Sequence, residues 1–355
     1  MTMSYEKNIE AAPNEIHEAM RGQPIGGAIK NVANMFGIRS STQLFSDLGS
    51  ALRRQGAGFQ FGVSSLGFIR PDISIPTYQG KRPIHGLAPI YHCFDEVGGG
   101  KGYSQRVTRK TSRDFRGKGL TYDEHDGVDF VCPVGTELVA AAPGTVVMIR
   151  DTWLRGGLTV ALDHGDGVLT QYTHCWKAKV HLGQKVKRGD VVALSGVSGM
   201  DMTIFCPWIP PHIHFMVWEN GVPLDPFNSD NSTWYSPDGS GMPVSVAATE
   251  AFREELIPDT SAVDIQAIND VIPQCIDDAV RDQLQALDGQ YEYIAALLED
   301  SLHHDKWAWP EALRGVSLRG KKGGETRQLT LPLSSNFYRG AFFADKKIPK
   351  HNFWA

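Results

Sequence analysis

The chain has 355 residues, 41% hydrophobic and 21% charged, with a formal net charge of −5. That composition belongs to a folded protein of two or three domains, and an acidic balance without a Lys/Arg block argues against a nucleic-acid partner. No apolar run reaches the roughly 20 residues that span a bilayer, and the five cysteines form no CxxC pair and no evident disulfide framework.

In chain order, the opening stretch MTMSYEKNIEAAPNEIHEAM has no apolar core behind a basic start, so it does not read as a secretory signal. Either the chain works in the cytoplasm or a leader has been removed. "STQLFSDLGSALRR" places Leu44, Leu48 and Leu52 at helical spacing behind Ser41 as a cap. From Gly56 to Gly102 glycines and prolines dominate, and the run "GGGKG" marks a boundary. Residues 101–228 then alternate short β-rich runs with turn signals, "DHGDG" and "ENG" among them. The polar stretch "NSDNSTWYSPDGSG" reads as a linker.

Further on, Val263, Ile265, Ile268, Val271, Ile272, Ile276, Val280, Leu284 and Leu287 form an apolar stripe interrupted by Pro273. This predicts two helices or a kinked one, and "YEYIAALLEDSLHH" predicts a third. His303 and His304, at that helix end, read as surface residues complementing the helix dipole. The last 40 residues look like a hairpin and an extended tail. The expected fold class is α+β overall: a central all-β antiparallel domain over 101–228, an N-terminal helix and loop region over 1–100, and a linker with a mainly helical region over 229–355.

The chemistry gathers in three short motifs. In "PHIHF", His212 and His214 share one face of a strand while Ile213 and Phe215 face a core. Alone, such a pair is a polar strand face. "HDGVDF" adds His125 and Asp129, with Gly127 removing the side chain between them. Two histidines and a carboxylate are the usual three-ligand shell of a catalytic zinc. "QYTHCW" adds Tyr172 and His174, expected on one strand face opposite Thr173.

With "GTELVAAAPGTVV", "GQKVKRGDVVALSGVSG" and "NGVPLDP", this order of motifs resembles the lysostaphin/LytM-type zinc metallopeptidases, from about Gly102 to Phe227. The resemblance implies one zinc per chain held by His125, Asp129 and His214, with His174 and His212 as catalytic histidines. It also implies a small antiparallel β domain and hydrolysis of peptide bonds in peptidoglycan cross-links or glycine-rich peptides. Which histidine acts as base stays open, as do the oligomeric state and the location; the family works mostly in the periplasm or outside the cell.

The chain departs from the pattern in three ways. The loop "SGVSGMDMTIFCPWIPPHIHF" is long and apolar, neither Arg113 nor Arg116 aligns securely with the family's substrate-side arginine, and no leader is visible. Cys132, Cys175 and Cys206 lie near the ligand segments and read as packing residues rather than thiolate ligands. Two rivals differ in class: a catalytically silent LytM-like binding or activator module, and a biotinyl-type or phosphoryl carrier domain. The carrier lacks its lysine between methionines and has no use for Asp129. The apolar stripe around 263–287 is expected to bury against the metallopeptidase domain, with one flank limiting access to the groove.

Overall fold

The computed structural model describes residues 25–54, 69–94, 125–154, 156–227, 233–248, 252, 255–305, 308–313, 316–319, 328–344, 347–348 and 352–355. Arg113 and Arg116 lie outside them. The strands in chain order are β1 (Leu87–Ile90), β2 (Val128–Val131), β3 (Glu137–Val139), β4 (Gly144–Arg150), β5 (Leu158–Asp163), β6 (Val168–Ala178), β7 (Lys185–Val186), β8 (Val191–Ser195), β9 (His212–Glu219), β10 (Val222–Leu224) and β11 (Gly340–Phe343). The helices are α1 (Ile25–Met35), α2 (Ser41–Arg54), α3 (Pro71–Tyr78), α4 (Met200–Phe205), α5 (Ile265–Val271), α6 (Asp278–Gln285) and α7 (Tyr291–His304).

The fold is α+β, built on one mostly antiparallel sheet in the order β11-β1-β2-β9-β6-β5-β4-β7, with β10 beside β9 and β8 linking β6 to β3. The strands between 128 and 224 pair antiparallel, as expected, and the C-terminal region is mainly helical. Two strands come from outside that stretch. β1 pairs antiparallel with β2 and parallel with β11, so among the described residues the last 40 supply a sheet strand where a hairpin was expected.

Alternation along the strands separates core from site. Val128, Phe130, Tyr172, Ile213, Phe215 and Val217 turn to one face and bury with Trp234, Leu329, Leu331 and Tyr338. Each such side chain contributes about 1.5–3 kcal/mol on leaving water. Trp234 is 3% exposed and stacks on Phe215, so the polar stretch read as a linker carries a core residue. The two hairpin turns form as the sequence suggests, through Gly165, Asp166 and Gly167 and through Asn220 and Gly221, all at positive φ.

α2 covers the whole predicted helix, although Ser40 rather than Ser41 accepts the capping hydrogen bond, from the Gln43 N–H. α5 ends in a single 3₁₀ turn containing Pro273, and α6 follows. The apolar stripe buries mainly among the helices themselves, with Ile268, Leu284, Leu298 and Trp309 in one cluster. It is α7 that meets the sheet, where Ala296, Tyr293 and Leu297 lie on Val147, Met148, Met216 and Trp218.

A buried ion network ties this helical region to the β5–β6 turn. Arg319 donates from Nε to Glu299 at 2.9 Å and from Nη1 to Asp163 at 2.8 Å, with its side chain fully buried. Asp163 also accepts from Gly165 and Ser261. Burial pushes the Glu299 carboxyl up, and Arg319 opposes the shift. Removing one partner of such a group leaves uncompensated buried charge. Arg319→Leu is therefore expected to lower stability by about 3–5 kcal/mol, measured by urea unfolding; a loss below about 1 kcal/mol, the range of an exposed pair, would contradict this account.

Candidate metal centre

The register of β2 against β9 pairs Asp129 with His214 and Val131 with His212. Cross-strand partners share a face, so Asp129, His214 and His212 emerge together on the side opposite Phe130, Ile213 and Phe215. His125 enters from the segment just before β2. Its Nε2 lies 3.2 Å from Asp129 Oδ2, and His214 Nδ1 lies 2.9 Å from Asp129 Oδ1 and 3.1 Å from His125 Nε2. All three side chains are buried.

Gly127 makes this approach possible: a Cβ there would stand 2.8 Å from the His214 ring and from the Phe215 carbonyl oxygen.

His174 reaches the site by a different route. The β5–β6 register shifts between Leu158–Cys175 and Val160–Tyr172, and His174 adopts φ 63° within this bulge, a conformation uncommon for a residue with a Cβ. Its N–H donates to the Gly156 carbonyl at 2.7 Å. As a result Tyr172 and His174 do not share a face. Tyr172 turns into the core, where its hydroxyl accepts from the Ala141 N–H, and His174 turns to His212, ring centroids 4.9 Å apart.

Outer contacts fix which ring nitrogen faces inward. Nδ1 of His125 meets the Cys93 carbonyl at 2.8 Å, Nδ1 of His174 the Ser198 carbonyl at 2.7 Å, and Nδ1 of His212 the Pro210 carbonyl at 2.7 Å. A carbonyl only accepts, so each Nδ1 carries a hydrogen and each Nε2 is left toward the site. His214 is held in the opposite sense: its Nε2 donates to Asp126 Oδ1 at 3.0 Å, leaving Nδ1 inward. Three electron-pair donors thus converge on one point, a disposition that needs a cation or a proton between them. Their separations match ligand atoms sharing one small ion with bonds of about 2.0–2.2 Å. The residues present fit a zinc-type ion.

With no ion considered, a proton takes that place. Burial opposes charge on His214, but Asp126 and Asp129 raise it to about 10. Burial likewise opposes charge on Asp129, and the surrounding histidines hold its carboxyl well below the usual range. Asp126 is held low in the same way by His214 and His303. Burial drops His174 to about 4, against the pull of Asp201.

Three residues near the centre were invisible in the sequence as site residues. His92, just beyond β1, donates from Nδ1 to Asp129 Oδ2 at 3.0 Å, and burial drops it to about 3. Asp126 lies between His125 and Gly127 in the HDG run. His303, expected at the surface, contacts Asp126 Oδ2 at 2.8 Å. Cys132 and Cys175 are buried thiols, Cys132 pushed up to about 12 and Cys175 well above the usual thiol range by burial, as packing residues would be.

Comparison with known proteins shows what the segment carrying these residues is similar to. The model of Peptidase family M23 matches residues 123–226. This segment belongs to peptidase family M23. The M23 segment is 36% identical over 101 residues to the peptidoglycan DD-endopeptidase ShyA of Vibrio cholerae, covering 28% of this chain and 22% of that one. It is 32% identical over 126 residues to lysostaphin of Staphylococcus simulans, covering 34% and 24%. The match thus spans less than a quarter of either relative. Among solved structures, the catalytic domain of lysostaphin is 30% identical over 29% of this chain and 77% of that one, with a TM-score of 0.26.

Within the M23 segment, Gly127→Ala is expected to push the His214 ring off Asp129 and to cost about 1–3 kcal/mol of stability. Thermal unfolding together with zinc titration checks both. An alanine variant with unchanged stability and unchanged zinc binding would show that the close approach is not required.

Proposed function

We propose that this protein is a zinc-dependent metalloendopeptidase. The observation that carries this reading is the convergence of His125 Nε2, Asp129 and His214 Nδ1, each oriented by an outer hydrogen bond. His125, Asp129 and His214 would hold one zinc per chain. When bound, the ion supplies Lewis acidity, polarising a peptide carbonyl and making a water a stronger nucleophile.

The chain's own residues do the rest. His174 and His212 are held through Nδ1 with Nε2 left toward the site, His212 Nε2 lying 3.6 Å from Asp129 Oδ1, and neither is needed to complete the ligand set. His174 is neutral at ordinary pH because of its burial, so its Nε2 is free to take a proton from the attacking water. Asp201 Oδ2, 3.7 Å from that nitrogen, favours the positive charge that results. His174, then an imidazolium, hands that proton to the leaving amine, while His212 would stabilise the oxyanion as an imidazolium with a hydrogen on Nε2.

The relatives' names support a substrate class to test. ShyA is a peptidoglycan DD-endopeptidase, and ALE-1 of Staphylococcus capitis, 32% identical over 127 residues, is a glycyl-glycine endopeptidase. Peptides of peptidoglycan cross-links, or glycine-rich peptides, are the substrates to test, and they would place the enzyme's work outside the cytoplasm. No helix among the described residues is long and apolar enough to cross a membrane.

Ligand and catalytic substitutions should separate. Asp129→Ala is expected to lose zinc and activity together. His174→Ala and His212→Ala should keep zinc while turnover falls roughly 10²–10⁴-fold, read on glycine-containing peptides and muropeptides. If His212→Ala empties the site instead, the two histidines of the pair have exchanged roles. A wild-type chain that holds zinc but cleaves neither substrate would favour the binding-module reading.

A further inference from the structure

The face of β9 that carries His212 and His214 continues through Met216 and Trp218, and α7 covers that continuation. This fixes the last turn of α7 beside the centre. There the His303 ring meets the edge of Trp218, centroids 5.2 Å apart. Its Nε2 lies 2.8 Å from Asp126 Oδ2, while Asp126 Oδ1 accepts from His214 Nε2 at 3.0 Å. An ionised carboxylate only accepts, so both rings donate into Asp126, one to each oxygen. Held at two points, the carboxylate cannot swing about its Cβ–Cγ bond, and its position in turn sets the plane and tautomer of His214.

We infer that His303 is a positioning residue of the proposed centre: through Asp126 it holds His214 with Nδ1 turned inward, so that the C-terminal helical region sets the affinity for the ion. The inference rests on the metallopeptidase reading above. His303 lies outside the segment 123–226 matched by the M23 model, so this link is a contribution of the flank. Outer partners of this kind are worth roughly 10–100-fold in metal affinity. His304 Nδ1 also lies 3.8 Å from Asp126 Oδ2, so Asp126, His303 and His304 form a second cluster of donors. The 2.8 Å contact to His303 and the engagement of the other oxygen by His214 favour a hydrogen-bond relay there over a second ion.

The test is zinc affinity of the full chain, measured by competition with a chelating indicator, for the wild type, His303→Phe and His303→Gln. Phenylalanine keeps a ring against Trp218 but removes the donor; glutamine keeps an N–H that reaches Asp126. The expected result is one zinc per wild-type chain, affinity roughly 10–100-fold weaker in His303→Phe, and affinity within a few-fold of wild type in His303→Gln. Unchanged affinity in His303→Phe would overturn the inference, and so would equal loss in both variants, which would mean a packing role only. Two zinc ions per wild-type chain, one of them lost in His303→Phe, would make His303 a direct ligand and overturn the relay. A wild-type chain that binds no zinc would instead remove the metal-centre reading itself, and this inference with it.

Discussion

Asp129 and His214 are opposite one another in the β2–β9 ladder, and the same pairing turns Phe130, Ile213 and Phe215 into the core. A one-residue slip in either strand would move the carboxylate and imidazole to the apolar side and the phenylalanines to the site. The register is thus fixed by the burial of the core face, and the site inherits its geometry from that burial. Donor atoms that would repel one another in isolation are kept together because separating them would require the core to open.

Around that pair, the site is completed by groups from distant parts of the chain. β1 and the residues after it bring the Cys93 carbonyl to His125 and the His92 ring to Asp129. α7 brings His303 to Asp126. Each is an outer contact that selects a tautomer or aims a carboxylate, and neither lies in residues 101–228. An excised 101–228 fragment would lose these contacts along with any cover the flanks provide. Comparing such a fragment with the full chain therefore tests support and access together.

Much of this was legible in the sequence where the signal is local. The strand alternation of "HIHF", the glycine gap in "HDGVD" and the Asn-Gly turn each follow from short-range geometry, and the structure brings His125, Asp129, His174, His212 and His214 to one place. What failed were inferences that assumed regular backbone or surface solvation. Tyr172 and His174 were expected on one face; a bulge with φ 63° at His174 parts them, and nothing in "QYTHCW" announces a bulge. His303 at a helix end reads as a solvated cation because its partner lies 177 residues earlier. β11 was missed for a similar reason, since a parallel partner for 340–343 at 87–90 leaves no pattern in either segment.

The central claim is that a metal ion belongs at the point where His125, Asp129 and His214 meet. Anomalous scattering at the zinc edge, from crystals of the full-length protein grown with zinc, tests it most directly. The account predicts one strong peak bounded by His125 Nε2, an Asp129 carboxylate oxygen and His214 Nδ1. A map with no peak there, or with zinc only at Asp126, His303 and His304, would contradict it.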